Sequence, residues 1–101
     1  MKLANVTFVV LEDDSFILNQ ALLTRDDLLL FLELHGYDYD NKRRSRLEFS
    51  RLANLAINDL LNDLGADTFI ESVKWFNSHE KAGIRQEIVK RKLLLDSLNN
   101  D

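Results

Sequence analysis

Leu3-Ala4-Asn5-Val6-Thr7-Phe8-Val9-Val10-Leu11 is the stretch that separates a mixed fold from an all-helical one. Its β-branched and aromatic residues suit a pleated, half-buried surface, and Ala4, Val6, Phe8 and Val10 fall on one face at a period of two. Glu12-Asp13-Asp14-Ser15 is turn material, and Phe16-Ile17-Leu18 returns as a second strand. A β-hairpin is therefore predicted over residues 3–19. Two strands alone are marginal in water, so the hairpin must pack on helices or pair with another chain.

Everything downstream reads as helix. Thr24-Arg25-Asp26-Asp27 opens the first, with Thr24 capping an orphan N–H and two aspartates at the positive end of the dipole. It runs over about 25–35, and Gly36 supplies the left-handed residue just past its end. Leu28, Leu29, Leu30, Phe31, Leu32 and Leu34 leave almost no polar side, which places this helix at the centre of the core. Ser45-Arg46-Leu47-Glu48 is a capping box that opens a helix over 46–64, ending at Gly65. Phe49, Leu52, Ala53, Ala56, Ile57, Leu60, Leu61 and Leu64 form its apolar half, and Leu55 is stranded among polar residues.

Thr68-Phe69-Ile70-Glu71 reads as a second capping box, starting a helix over 69–77. Asn77-Ser78-His79-Glu80 either caps a separate final helix over 79–98 or marks a bend in a continuous one. That last segment has two apolar stripes, Ile84, Ile88, Leu95 and Leu98 on one and Ala82, Val89 and Leu93 on the other. The expected fold is α+β: an N-terminal β-hairpin followed by three or four helices, helix-dominant, in a single domain over 1–101.

A chain of 101 residues suits one core, and 46% apolar with 30% charged residues is an ordinary globular composition. With no cysteine, thiolate nucleophiles, disulfides and thiolate-bound metals are excluded. The first residues lack the apolar core of a secretory signal, and no apolar run approaches a membrane span. A cytoplasmic protein without membrane contact is expected.

Charge is unevenly distributed. Residues 1–40 carry two basic and eight acidic residues, and the remainder eleven basic and nine acidic, for a net −4. Such a dipole orients encounters with charged partners. The acidic part, Glu12, Asp13, Asp14, Asp26 and Asp27, would face a basic protein surface, with the stranded Leu55 as an apolar contact. The basic run Lys42, Arg43, Arg44 and Arg46 sits at a helix N-terminus and has the composition of a phosphate-contacting patch. Lys81, Arg85 and Lys92 would extend it if the fold brings them near.

Catalytic and ligand motifs are missing. His35 and His79 have no metal-type partner at helical spacing. Gly36, Gly65 and Gly83 are too scattered for a phosphate loop or dinucleotide fingerprint. A calcium loop starting at Asp38 fails, with Lys42, Arg43 and Phe49 at positions that need other residues. The Leu60–Thr68 corner lacks helix-turn-helix spacing. No cofactor, metal or small-molecule ligand is expected. The sequence reads best as a non-enzymatic protein-interaction module, a regulator or inhibitor that binds another protein or itself as a homo-oligomer. The alternative is a nucleic-acid-binding regulator using the loop 42–46.

Overall fold

The computed structural model describes residues 6–13, 15–39 and 44–99. Its elements run β1 (Phe8–Val10), β2 (Phe16–Leu18), β3 (Ala21–Leu23), α1 (Arg25–Leu34), α2 (Arg46–Leu64), α3 (Ala66–Ser78) and α4 (Lys81–Asn99). The α+β architecture is as expected, with four helices after the strands. Ala4 and Asp14, read as parts of the hairpin, lie outside the described residues.

The β1–β2 hairpin forms with Phe8 opposite Leu18 and Val10 opposite Phe16. Within its turn, Asp13 Oδ1 accepts from the Ser15 amide at 3.2 Å and from the Ser15 hydroxyl. The hairpin is extended by a third strand that the sequence reading did not anticipate. β3 pairs antiparallel with β2, giving the order β1-β2-β3. The connecting residues Asn19 and Gln20 both have positive φ, +46° and +74°, the signature of a two-residue type I′ turn. Gln20 stands where glycine is usual, and Ala21-Leu22-Leu23 are good helix formers, so the local signal for a strand is weak.

One face of the sheet turns Phe16, Leu18 and Leu23 into the core. Phe16 lies between the Phe8 ring, stacked at 5.7 Å, and the Phe49 ring, edge-on at 5.7 Å. The other face carries the cross-strand row Val9, Ile17 and Leu22.

α1 is capped as expected: Thr24 Oγ1 accepts from the Asp27 amide at 3.1 Å. At its end Tyr37 N–H donates to Leu32 C=O and Gly36 N–H to Glu33 C=O, with Gly36 at φ +93°. This is a Schellman closure, which glycine enters without the Cβ penalty. Leu28, Leu30, Phe31, Leu32 and Leu34 are buried, so the all-round apolar helix is indeed central. Phe31 meets Phe69 at 6.0 Å and Phe76 at 5.4 Å, both edge-on.

α2 is capped by Ser45, whose Oγ accepts from the Glu48 amide at 3.1 Å. It buries Phe49, Ala53, Ala56, Ile57, Leu60 and Leu61, members of the anticipated arc. The start of α3 differs from the reading of a Thr68 cap. Gly65, at φ +83° and ψ 160°, is both the end of α2 and the N-cap of α3, with no side-chain cap. A single residue turns the chain, so Thr68 falls inside the first turn. The Phe69, Val73 and Phe76 stripe then sets the phase of the helix.

The break before α4 is a true helix end. His79 is extended, stacks on Trp75 at 4.1 Å, and its Nδ1 lies 2.7 Å from the Trp75 carbonyl. α4 begins two residues later than the anticipated 79.

Candidate functional site

Ion pairs fix how α4 lies on α1. Lys81 Nζ reaches Asp27 Oδ1 at 2.6 Å, near the start of both helices. Lys92 Nζ reaches Glu33 Oε1 at 3.0 Å, and Arg91 Nη1 donates to the Leu34 carbonyl at 2.7 Å, near the end of α1. The helices therefore run parallel, with Ile84 and Ile88 buried between them. α1 stops at the level of Arg91, and α4 continues for roughly another 10 Å at about 1.5 Å per residue.

That extension is the largest departure from ordinary packing. Residues 91–97 are all exposed. Val89, Leu93, Leu94 and Leu95 show 55%, 63%, 63% and 58% of their surface. At about 100° per residue Leu95 continues the buried Ile84 and Ile88 stripe, so it leaves the core only because α1 has ended beneath it. A groove of about 430 Å³ opens there, with Leu34, Ile88 and Leu95 as apolar lining and Glu33, Asp38, Arg91 and Lys92 around them.

The rim charges are tied down. The Glu33 carboxylate, by its hydrogen bond, raises the Lys92 ammonium above the ordinary lysine value, and Asp38 adds to this at 4.0 Å. Tyr37, next to the groove, donates its phenol to Asp59 on α2, and that bond pushes the phenol up to about 12. His35 packs edge-on against Phe31 at 4.8 Å, with Nε2 2.7 Å from the Ser72 hydroxyl. Burial, and then the charge of Arg91, hold the His35 imidazole below its usual value.

A serine hydroxyl on a histidine nitrogen is the contact a nucleophile makes with its base. Here, among the described residues, no third group orients the ring, and Phe31 covers its face. The pair ties α1 to α3. Among the described residues no three histidine or acidic side chains are grouped to hold a metal ion, and no helix is long and apolar enough to cross a membrane.

The structure redistributes the acidic residues singled out in the sequence. Asp27 is part of the α1–α4 seam: burial pushes its carboxyl up, but Lys81 and Thr24 outweigh this and leave it low. The Lys81 contact is a close charge approach, since the buried Oδ1 has no aligned hydrogen-bond donor. Asp13 is held low by its hydrogen bonds from Ser15. Glu12 lends its backbone carbonyl to Arg46 Nη1 at 2.9 Å, and Asp26 lines a smaller furrow that Arg85 also lines. Asp14 is outside the described residues. Leu55 is 65% exposed on α2, as anticipated.

The basic residues are divided. Lys42 and Arg43 are outside the described residues. Arg44 gives its carbonyl to Arg25 Nη2 at 2.7 Å, and the Arg25 guanidinium lies 4.7 Å over Phe49. Arg25 and Asp27, which reach Arg44 and Lys81, stand two residues apart and so about 200° apart on α1. The loop 44–46 and the basic strip Lys81, Arg85 and Lys92 thus flank different sides of α1.

Sequence reasoning noted both stripes of the last helix, while its candidate partner residues were Glu12, Asp13, Asp14, Asp26, Asp27 and Leu55. The signal was Leu93-Leu94-Leu95: three successive leucines spread over about 200° of helix, so one core face cannot cover them all. No family model, curated protein or solved structure matches the chain, and its function has to be read from its own geometry.

Proposed function

We propose that this protein is a non-enzymatic protein-interaction module, a cytoplasmic regulator whose docking site is the groove between the end of α1 and the extension of α4. The observation that carries this reading is Leu95. It lies on the stripe that buries Ile84 and Ile88, yet more than half of it is exposed above an apolar groove. A wall that open does not enclose a small molecule, most of whose surface a ligand pocket buries. It does suit apolar side chains carried on a partner's helix or loop, which would extend the core past the end of α1. The charges at the rim, already paired within the chain, then orient the partner rather than bind it.

Nucleic-acid contact through Lys42, Arg43, Arg44 and Arg46 has less support. Arg46 is engaged with the hairpin turn, and Lys81 and Lys92 are engaged with α1.

The test compares the proteins retained from cell extract by the immobilised chain and by its Leu94→Asp/Leu95→Asp variant. Both side chains are exposed, so circular dichroism should be unchanged. A partner held by the parent chain and released by the variant is expected; identical retention by the two would sink the reading.

A further inference from the structure

The outer side of α4 differs from the groove side. With Ile84 and Ile88 inward, Ala82, Val89 and Leu93 gather on the opposite side of the helix at about 100° per residue, and all three are exposed. Arg85 and Asp96 share one flank of this stripe, and neither makes an ion pair among the described residues.

We infer that a second copy of this chain docks on the outer stripe, α4 against α4 and antiparallel, about a two-fold axis at the level of residue 91. That axis sets Val89 of each copy against Leu93 of the other, since an isologous interface repeats every contact twice. It also brings Arg85 to within one residue of the level of Asp96 in the second copy. A two-fold perpendicular to the plane of two antiparallel helices keeps each flank on its own side. Arg85 and Asp96 therefore meet across the interface, once at each end.

Parallel pairing, about an axis along the helices, would put the two flanks on opposite sides and leave Arg85 with no Asp96 across the interface, so charge complementarity goes with the antiparallel arrangement. The basic run Lys90-Arg91-Lys92 lies at the centre, where like charges would oppose docking. Two of the three are held on their own chain, Arg91 by the Leu34 carbonyl and Lys92 by Glu33. Val89 also lines a furrow of about 340 Å³ with Arg85 and Leu30 along the α1–α4 seam, which widens the surface available to the second copy. One helix pair is a small interface, so the dimer is a weak, concentration-dependent one.

This face is distinct from the groove, so each can fail alone. Sedimentation equilibrium of the purified full chain tests it. A reversible monomer–dimer equilibrium is expected. Asp96→Arg should weaken it roughly tenfold by replacing attraction with repulsion at both ends. The swap Arg85→Asp/Asp96→Arg should restore dimerisation to near that of the parent chain. Leu93→Asp should leave monomer alone, with an unchanged helical spectrum. Monomer at every concentration of the parent chain would overturn the inference, as would a dimer indifferent to Asp96→Arg and Leu93→Asp. Should the swap fail to fold, those two single variants still decide. Capture of a partner that depends on Leu94 and Leu95 would stand or fall independently.

Discussion

His35, which the sequence gives no catalytic or metal-type partner, is a packing element with a pH signature. Burial, and then the charge of Arg91, hold its imidazole below the ordinary value, and the ring packs on Phe31 with Nε2 at the Ser72 hydroxyl. In the unfolded chain it takes a proton near pH 6.5, whereas in the folded chain it does so only at lower pH. As pH falls below about 6.5 the unfolded state binds a proton that the folded state refuses, so stability declines until the folded value is passed. Asp27 works lower on the scale. Its carboxyl is depressed, and the stability this brings is present above the ordinary value of 3.8 and lost as pH falls from there through the lower folded value. Between pH 7.5 and 5.5, then, the urea midpoint of the parent chain should fall, and that of His35→Gln should fall less. Equal slopes would show that His35 is not responsible.

Among the elements, two glycines make opposing predictions. Gly65 sits at φ +83° and ψ 160°, a region open essentially to glycine alone. Gly65→Ala should therefore cost about 1–3 kcal/mol, although no atom beyond its chain neighbours lies within 4 Å of the added Cβ. Gly83 is inside α4, where alanine is favoured and the space is equally open. Gly83→Ala should stabilise by roughly 0.5–1 kcal/mol. Thermal denaturation of the two variants checks both signs. The same element scale explains the third strand. Leu22 is two-thirds exposed, and its partner Ile17 belongs to the face away from the core. β3 is held by its ladder and by the burial of Leu23, not by propensity.

For the whole molecule, part of the uneven charge of the sequence is paired within the chain. Asp27 with Lys81, and Glu33 and Asp38 with Lys92, join the acidic first part of the chain to the basic later part, and Arg46 donates to the Glu12 backbone carbonyl. The exposed members of these pairs contribute little singly, but they set which way α4 runs on α1. From Leu93 to Ser97 α4 contributes no side chain to the core, and Leu93, Leu94 and Leu95 are all exposed. A chain ending after Lys92 should keep a melting temperature within a few degrees of the parent, because the side chains described over 93–97 are all exposed. One ending before Ile84 should unfold, having lost both Ile84 and Ile88 from beneath α1. A large destabilisation of the longer truncate would mean that the extension packs on its own chain, against the docking reading.

Local chemistry settled what can be settled within a few residues: the Thr24 and Ser45 caps, the Gly36 closure, the apolar arc of α2, the central place of α1 and the first hairpin. Each rests on hydrogen bonds or side-chain periodicity internal to one segment, so the linear order of residues contains it. The third strand, the start of α3 at Ala66 and the fate of the charged residues were decided by tertiary structure alone. Ala21-Leu22-Leu23 become a strand only because Phe16 and Leu18 are already paired and α1 waits to cover Leu23. Thr68 loses its capping role because Gly65 turns the chain first. The groove, too, depends on two helix lengths compared across space: α1 ends at Leu34, α4 does not, and whether Leu95 is core or surface follows from that difference.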